Sequence, residues 1–231
     1  MALPKGKMKI SWLRILGESI LIVVSVYVAI VLQDLSDRKT KRNEAKEVLS
    51  QMLLEMKSDQ VILEEVLDEQ HMLSRQYSSI DRWLSYSIPG IPYDSLGQAL
   101  GIIKLTNRTH YPQDAAWRTM VASGELSYLR APELVTRLGE LFETRNERIT
   151  YNGEEYDRLV NNLIHDYMNQ MWNPYENRFF DESEKSIMKF KTHMNYLDIT
   201  WNEYYIELMT DYQNELIHRA NDIEEYLNSN N

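Results

Sequence analysis

The chain contains no cysteine, only 8 glycines and 6 prolines among 231 residues, and four phenylalanines. Without cysteine there is no disulfide, no thiolate metal site and no cysteine nucleophile. So few glycines and prolines leave little turn material for a β-rich fold. No Gly-rich phosphate loop, His-Glu-x-x-His helix or Gly-x-Ser-x-Gly elbow occurs, which removes the commonest sequence signs of nucleotide, metalloprotease and serine-hydrolase chemistry. What is abundant is Tyr (15) and Met (11), residues that suit irregular packing between helices.

One stretch is unlike the rest. Ser19 to Leu32 reads SILIVVSVYVAIVL, without a charge, glycine or proline. Counting the apolar residues from Ile10, the segment is 23 residues long, about 34 Å of helix and enough to cross a bilayer. The sequence predicts a basic tail at 1–9, a transmembrane helix at 10–33 and an acidic helical domain at 34–231. The run ends Ala29-Ile30-Val31-Leu32-Gln33, with no small-x-small cleavage site, so an uncleaved signal anchor is expected rather than a signal peptide. Gly17, Ser25 and Ala29 are small residues at multiples of four and are the expected contacts between neighbouring membrane helices, together with Glu18. Arg14, four residues before Glu18, can pair with it across one turn.

Charge is divided along the chain. Residues 1–46 carry nine basic and four acidic groups, and the remainder 16 basic and 31 acidic, giving the net charge of −10. Lys5, Lys7, Lys9 and Arg14 precede the apolar run; Arg38, Lys39, Lys41 and Arg42 follow it. Both groups are expected to contact lipid head groups. Their near balance leaves the positive-inside rule undecided, and the signal-anchor pattern tips the expectation toward an N-terminus in the cytoplasm. The acidic remainder repels phosphates, so nucleic acid is not an expected partner.

After the span, no glycine or proline interrupts Arg38–Ser87. Ala45, Leu49, Met52, Met56, Leu63, Val66, Gln70, Leu73, Tyr77, Ile80 and Leu84 form one stripe at helical spacing. This predicts an amphipathic helix about 70 Å long that continues the transmembrane helix. Asp94 is expected to cap a short helix over Ser95–Lys104, and Pro112 to open another through Ala122 that Gly124 closes. Pro132 is expected at the first position of a long helix to Trp172, with Leu134, Leu138, Leu141, Phe142, Ile149, Tyr156, Leu159, Leu163, Tyr167 and Met171 inward and Gly153 marking a bend. Asp181 with Glu184 reads as a capping box for a helix to Met194, followed by a last helix over Asp198–Leu227. The fold class is therefore all-α: a membrane helix running into a long amphipathic helix that packs with two further long helices and short connectors.

Catalytic and metal constellations are weak. Glu215-x-x-His218 and Asp68-x-x-His71 echo the Glu-x-x-His pairs of di-iron bundles, yet at 100° per residue both lie away from the apolar stripes and face solvent. The Arg158 and His165 spacing, seen in some helical ribonucleases, arises by chance in so charged a chain. Trp117, Trp172 and Trp201 are expected in the core. No catalytic residue, cofactor or metal ligand is assigned.

Two stretches carry a resemblance. Leu16-Gly-Glu-Ser-Ile-Leu-Ile-Val-Val24 with Ala29-Ile-Val-Leu-Gln33, and Asp114-Ala-Ala-Trp-Arg-Thr-Met-Val-Ala-Ser-Gly-Glu-Leu-Ser-Tyr-Leu129 before Pro132-Glu-Leu134, resemble an uncharacterised family of bacterial single-pass membrane proteins. Where that family's anchor continues Gln-Ile-Asn-Asn-Trp, this chain reads Gln33-Asp34-Leu35-Ser36. The resemblance, over residues 10–170, implies an N-terminal anchor in a bacterial inner membrane followed by a helical domain, and supplies no activity. The leading functional expectation is a membrane-anchored interaction, scaffold or signalling module without catalysis, acting through the bilayer and either self-association or a protein partner. The alternatives are a homo-oligomeric pore with Glu18 and Arg14 near its mouth, and an enzyme with an unrecognised helical site.

Overall fold

The computed structural model describes residues 12–86, 88–106 and 108–229. Lys5, Lys7 and Lys9 lie outside the described residues. Five helices make up nearly all of the described chain. Helix α1 (Trp12–Trp83) is unbroken for 72 residues, about 108 Å. The expected continuation of the apolar helix into the amphipathic one is thus present, because nothing between Gly17 and Pro89 can break it. Helix α2 spans Tyr93–Thr106 and α3 spans Ala115–Ser123. Helix α4 covers residues 132–171 and contains π-turns at Glu140–Arg145 and Leu163–Met168. Helix α5 covers residues 184–229, with a π-turn at Asp198–Asn202.

The core lies between α1, α4 and α5. Helix α5 runs antiparallel to the other two. Its Asn195 meets Asp81 and its Tyr212 meets Asp59 on α1, while its Asn202 meets Tyr156 and its Asp222 meets Arg137 on α4. Short helices α2 and α3 fill the sides of α1. All eleven residues of the predicted α1 stripe, Ala45 to Leu84, are buried. Pro132 opens α4 and Gly124 closes α3 with φ 74°, both as expected.

Several expectations are corrected. Helix α2 begins at Tyr93 rather than after a capping Asp94, and runs to Thr106. Helix α3 starts at Ala115, not Pro112: its first N–H groups are met by α1, where the Glu55 carboxylate accepts from Ala116 N at 2.9 Å, and Asp114 pairs with Arg118 instead of capping. The two expected C-terminal helices are one, because the π-turn at Asp198–Asn202 carries the chain through without a break. Ser183 caps it, its hydroxyl accepting from Ser186 N, while Asp181 accepts from Ser183. In α4 the buried positions after Tyr156 are Val160, Leu163, Ile164 and Met168, while Leu159, Tyr167 and Met171 are half-buried and pack against the edge of the core. Gly153 marks no bend; it is buried against α5.

A two-stranded clasp was not foreseen. Strand β1 (Trp172–Asn173) pairs antiparallel with β2 (Arg178–Phe179), turning through Asn177 at φ 50°. It closes the end of the bundle by stacking Trp172, Phe179 and Phe190 edge to face.

Candidate functional site

Helix α1 is exposed over residues 18–41. Among its apolar residues Leu16, Leu21, Val23 and Tyr27 are 60–70% exposed, and nothing in the fold covers any residue from 18 to 35. Its most apolar eighteen-residue window has a mean hydropathy of 2.1 and is 0% buried, so the helix is long and apolar enough to cross a membrane. Ser25 donates to Leu21 O at 2.7 Å, which satisfies its hydroxyl inside the helix. Ser25 and Ala29 stand one turn apart. At 100° per residue Glu18 falls within about 20° of both, and Gly17 lies about 120° around the helix from Ala29. Arg14 is in the first turn of α1, its side chain outside the described set.

Beyond the apolar run the basic residues divide. Arg38 pairs with Asp34 at 3.0 Å and Lys39 is exposed. The Lys41 ammonium sits 5.6 Å above the ring of Tyr128, and Arg42 is half-buried. Lys41 and Arg42 thus mark where the exposed helix enters the bundle, just before Ala45 becomes its first buried residue.

Inside the bundle the sequence reading missed a polar cluster. Asp59 of α1 and His110 of the α2–α3 loop are 1% exposed, with His110 Nε2 3.3 Å from Asp59 Oδ2. The Tyr212 hydroxyl of α5 has one proton to give. It donates to Asn146 Oδ1 of α4 at 2.9 Å and stands 3.4 Å from Asp59 Oδ2. Burial, and then the Asp59 carboxylate, push the Tyr212 phenol far above its ordinary value. The loop is held from every side: Gln70 donates to Arg108 O at 2.6 Å, Thr109 to Asp157 at 3.0 Å, and His110 N to the Tyr205 hydroxyl at 3.0 Å. The signal for this cluster was in the stripes. The α1 stripe jumps seven residues between Met56 and Leu63, and the α4 stripe seven between Phe142 and Ile149. Asp59 and Asn146 fill those inward positions.

A second polar chain crosses at the α5 π-turn. Tyr156 donates to Asn202 Oδ1 at 3.1 Å, and Asn202 donates to Asp198 Oδ1 at 3.1 Å. Burial pushes the Asp198 carboxyl up to about 6 against the opposing hydrogen bond from Asn202. Both networks are sealed, and a general base must reach its substrate. In this arrangement the two networks fix helix register and hold the loop.

Glu215 is ion-paired with Arg219, His218 is exposed, and Asp68 and His71 face solvent. Among the described residues no group of three or more His, Asp or Glu is placed to hold a metal ion. Trp117 and Trp172 are buried in the core and Trp201 packs against it.

No curated protein and no solved structure matches the chain. A family model does match, over residues 18–205, from the apolar segment into α5. The chain therefore belongs to the DUF6090 family, a family of unknown function.

Proposed function

We propose that this chain is a single-pass, membrane-anchored helical interaction module of a bacterial inner membrane, which binds partners rather than transforming a substrate. The carrying observation is that α1 is one helix with two kinds of surface. From Ala45 onward its apolar face is sealed by α2, α3 and α5, whereas its apolar segment over residues 18–35 has no protein cover at all. Treated as a cylinder 10 Å across, residues 16–32 present roughly 800 Å² of apolar surface, above the few hundred Å² that soluble monomers tolerate. Moving the fourteen side chains of Ser19–Leu32 out of water favours the bilayer by on the order of 20 kcal/mol.

In this reading Arg14, Lys5, Lys7 and Lys9 meet head groups on the cytoplasmic side. Arg38, Lys39, Lys41 and Arg42 meet them on the other, and the acidic bundle stands outside the cytoplasm. Glu18, Ser25 and Ala29 support contact between neighbouring spans, with Gly17 two turns below.

The test is fractionation. Full-length protein should sediment with membranes, resist alkaline carbonate and move to the supernatant only with detergent. Unprocessed protein found in the supernatant without detergent overturns the reading. Protease accessibility of the bundle in spheroplasts checks the orientation.

A further inference from the structure

A cleft lies between α3 and α4. One lobe, about 420 Å³, is lined by Pro112, Asp114, Asn146, Glu147, Tyr151 and Glu154. A second, about 450 Å³, adjoins it over Trp117, Val121 and Phe142, and the lobes share Asp114, Arg118 and Phe142. The π-turn Glu140–Arg145 ends immediately before Asn146, and such turns often build functional sites by changing which face a residue presents.

Asn146 is the chemical centre of the cleft. It lines the first lobe and is 5% exposed. Its carbonyl oxygen is turned inward to Tyr212, and its amide nitrogen, at the other end of the same planar group, has no hydrogen-bond partner. A buried donor left without an acceptor is costly, and an oxygen brought into the lobe beside Asn146 would relieve that cost. The rim decides which oxygen. Arg118 is occupied by Asp114 at 2.8 Å. Glu143, Glu147 and Glu154 are exposed, and none of the three pairs with a cation among the described residues. Three carboxylates repel phosphate or carboxylate and attract ammonium and guanidinium groups. The floor is apolar, with the Trp117 and Phe142 rings stacked 5.3 Å apart.

We propose that this cleft docks an extended, basic segment of a partner protein, with a backbone carbonyl accepting from Asn146, an apolar side chain over Phe142, and Lys or Arg side chains on Glu143, Glu147 and Glu154. The proposal rests on the interaction-module reading and names the partner chemistry for it. The place suits such a partner. Glu55, which holds the start of α3, is 22 residues beyond Gln33 on α1, about 33 Å out from the end of the apolar run.

The experiment uses full-length protein in phosphatidylcholine nanodiscs, panned against a phage-displayed random dodecapeptide library after depletion on empty nanodiscs. The expected result is enrichment of sequences mixing Lys or Arg with apolar residues. The leading synthetic peptide should bind at least about tenfold more weakly to the E147K/E154K double variant, which changes only exposed side chains. Asn146→Leu should weaken it comparably, read only if its thermal melt still shows a folded bundle; E147K/E154K carries the test otherwise. Failure to enrich basic peptides, or a lead peptide that binds E147K/E154K as well as the unmodified protein, overturns the cleft. In the latter case a peptide-binding module survives with its site elsewhere, whereas failure of the sedimentation test removes the anchored module itself.

Discussion

Gly153 shows how one residue without a side chain positions several with them. A Cβ built there would lie 3.0 Å from the Tyr205 hydroxyl, which already accepts from His110 N. Gly153→Ala gains up to about 1 kcal/mol of helix propensity but pushes Tyr205 off the loop. The expected net effect is a loss of about 1–3 kcal/mol, measured by urea unfolding of the detergent-solubilised protein. Tyr205→Phe in the same background should remove most of the added cost, because the clashing atom is gone. Asp198 gives a pH dependence with a defined sign. Its folded carboxyl titrates at about 6 and the ordinary value is 3.8, so the folded state holds the proton more tightly than the unfolded one. Stability from this group is therefore present at low pH and is lost as pH rises through about 6. Asp81 and Asp181 are shifted downward, Asp81 chiefly by its hydrogen bond from Asn195 and Asp181 by the Ser183 backbone N–H, and act in the opposite sense. The group is isolated by difference: the Tm of the unmodified protein minus that of Asp198→Asn should rise as pH falls from 7 to 4. A flat difference curve rejects the assignment.

At the scale of elements, periodicity and breakers carried most of the helical fold. The α1 stripe was legible because every buried position from Ala45 to Leu84 is apolar except two. One of those, Gln70, stands in the predicted stripe; the other, Asp59, does not, and a carboxylate is seldom a core residue. It is tolerated there because His110 arrives from a loop 51 residues later, and no local pattern records such a meeting. The π-turns were illegible for a related reason: their single extra residue is set by tertiary packing, not by propensity. The one at Asp198–Asn202 accounts for the unforeseen fusion of the last two helices. This has a testable consequence. Deleting exposed Asp166 from the Leu163–Met168 π-turn should restore a regular α-helix with Met168 still inward, at a cost near 1 kcal/mol. Inserting an alanine at the same point should rotate Met168 and Trp172 off the core and cost more than about 3 kcal/mol, as large core losses do. Equal costs in denaturant titrations would show that the π-turn does not set the register.

At the scale of the whole molecule the question is whether the span and the bundle move as one body. Residues 33–40 of α1 are exposed on every side, so this short stalk, before Lys41 and Arg42 meet the bundle, is a stretch where α1 has no packed face. An isolated helix of that length is marginal in water because nucleation is unfavourable. In the proposed anchored reading nucleation is already met, with turns held in the bilayer before the stalk and packed turns from Ala45 after it. Asp34 and Arg38 add an i,i+4 pair of a few tenths of a kcal/mol. The helix should therefore transmit rotation and tilt of the span to the bundle instead of acting as a swivel. The absence of cysteine makes this directly measurable. Leu35, near the start of the stalk, and Val61, beyond it, are each 58% exposed. Spin labels on Leu35→Cys and Val61→Cys in nanodiscs should give a narrow distance distribution near 39 Å, the span of 26 residues of straight helix. Ser36→Pro lies outside that rigid expectation: it clashes with the Leu32 carbonyl and removes one backbone bond. A label pair at Ser25→Cys and Val61→Cys, which brackets the break, should then shorten and broaden from its straight-helix value near 54 Å. A broad distribution without the proline would mean that the stalk already bends, and the bundle would then be tethered to the bilayer without being steered by it.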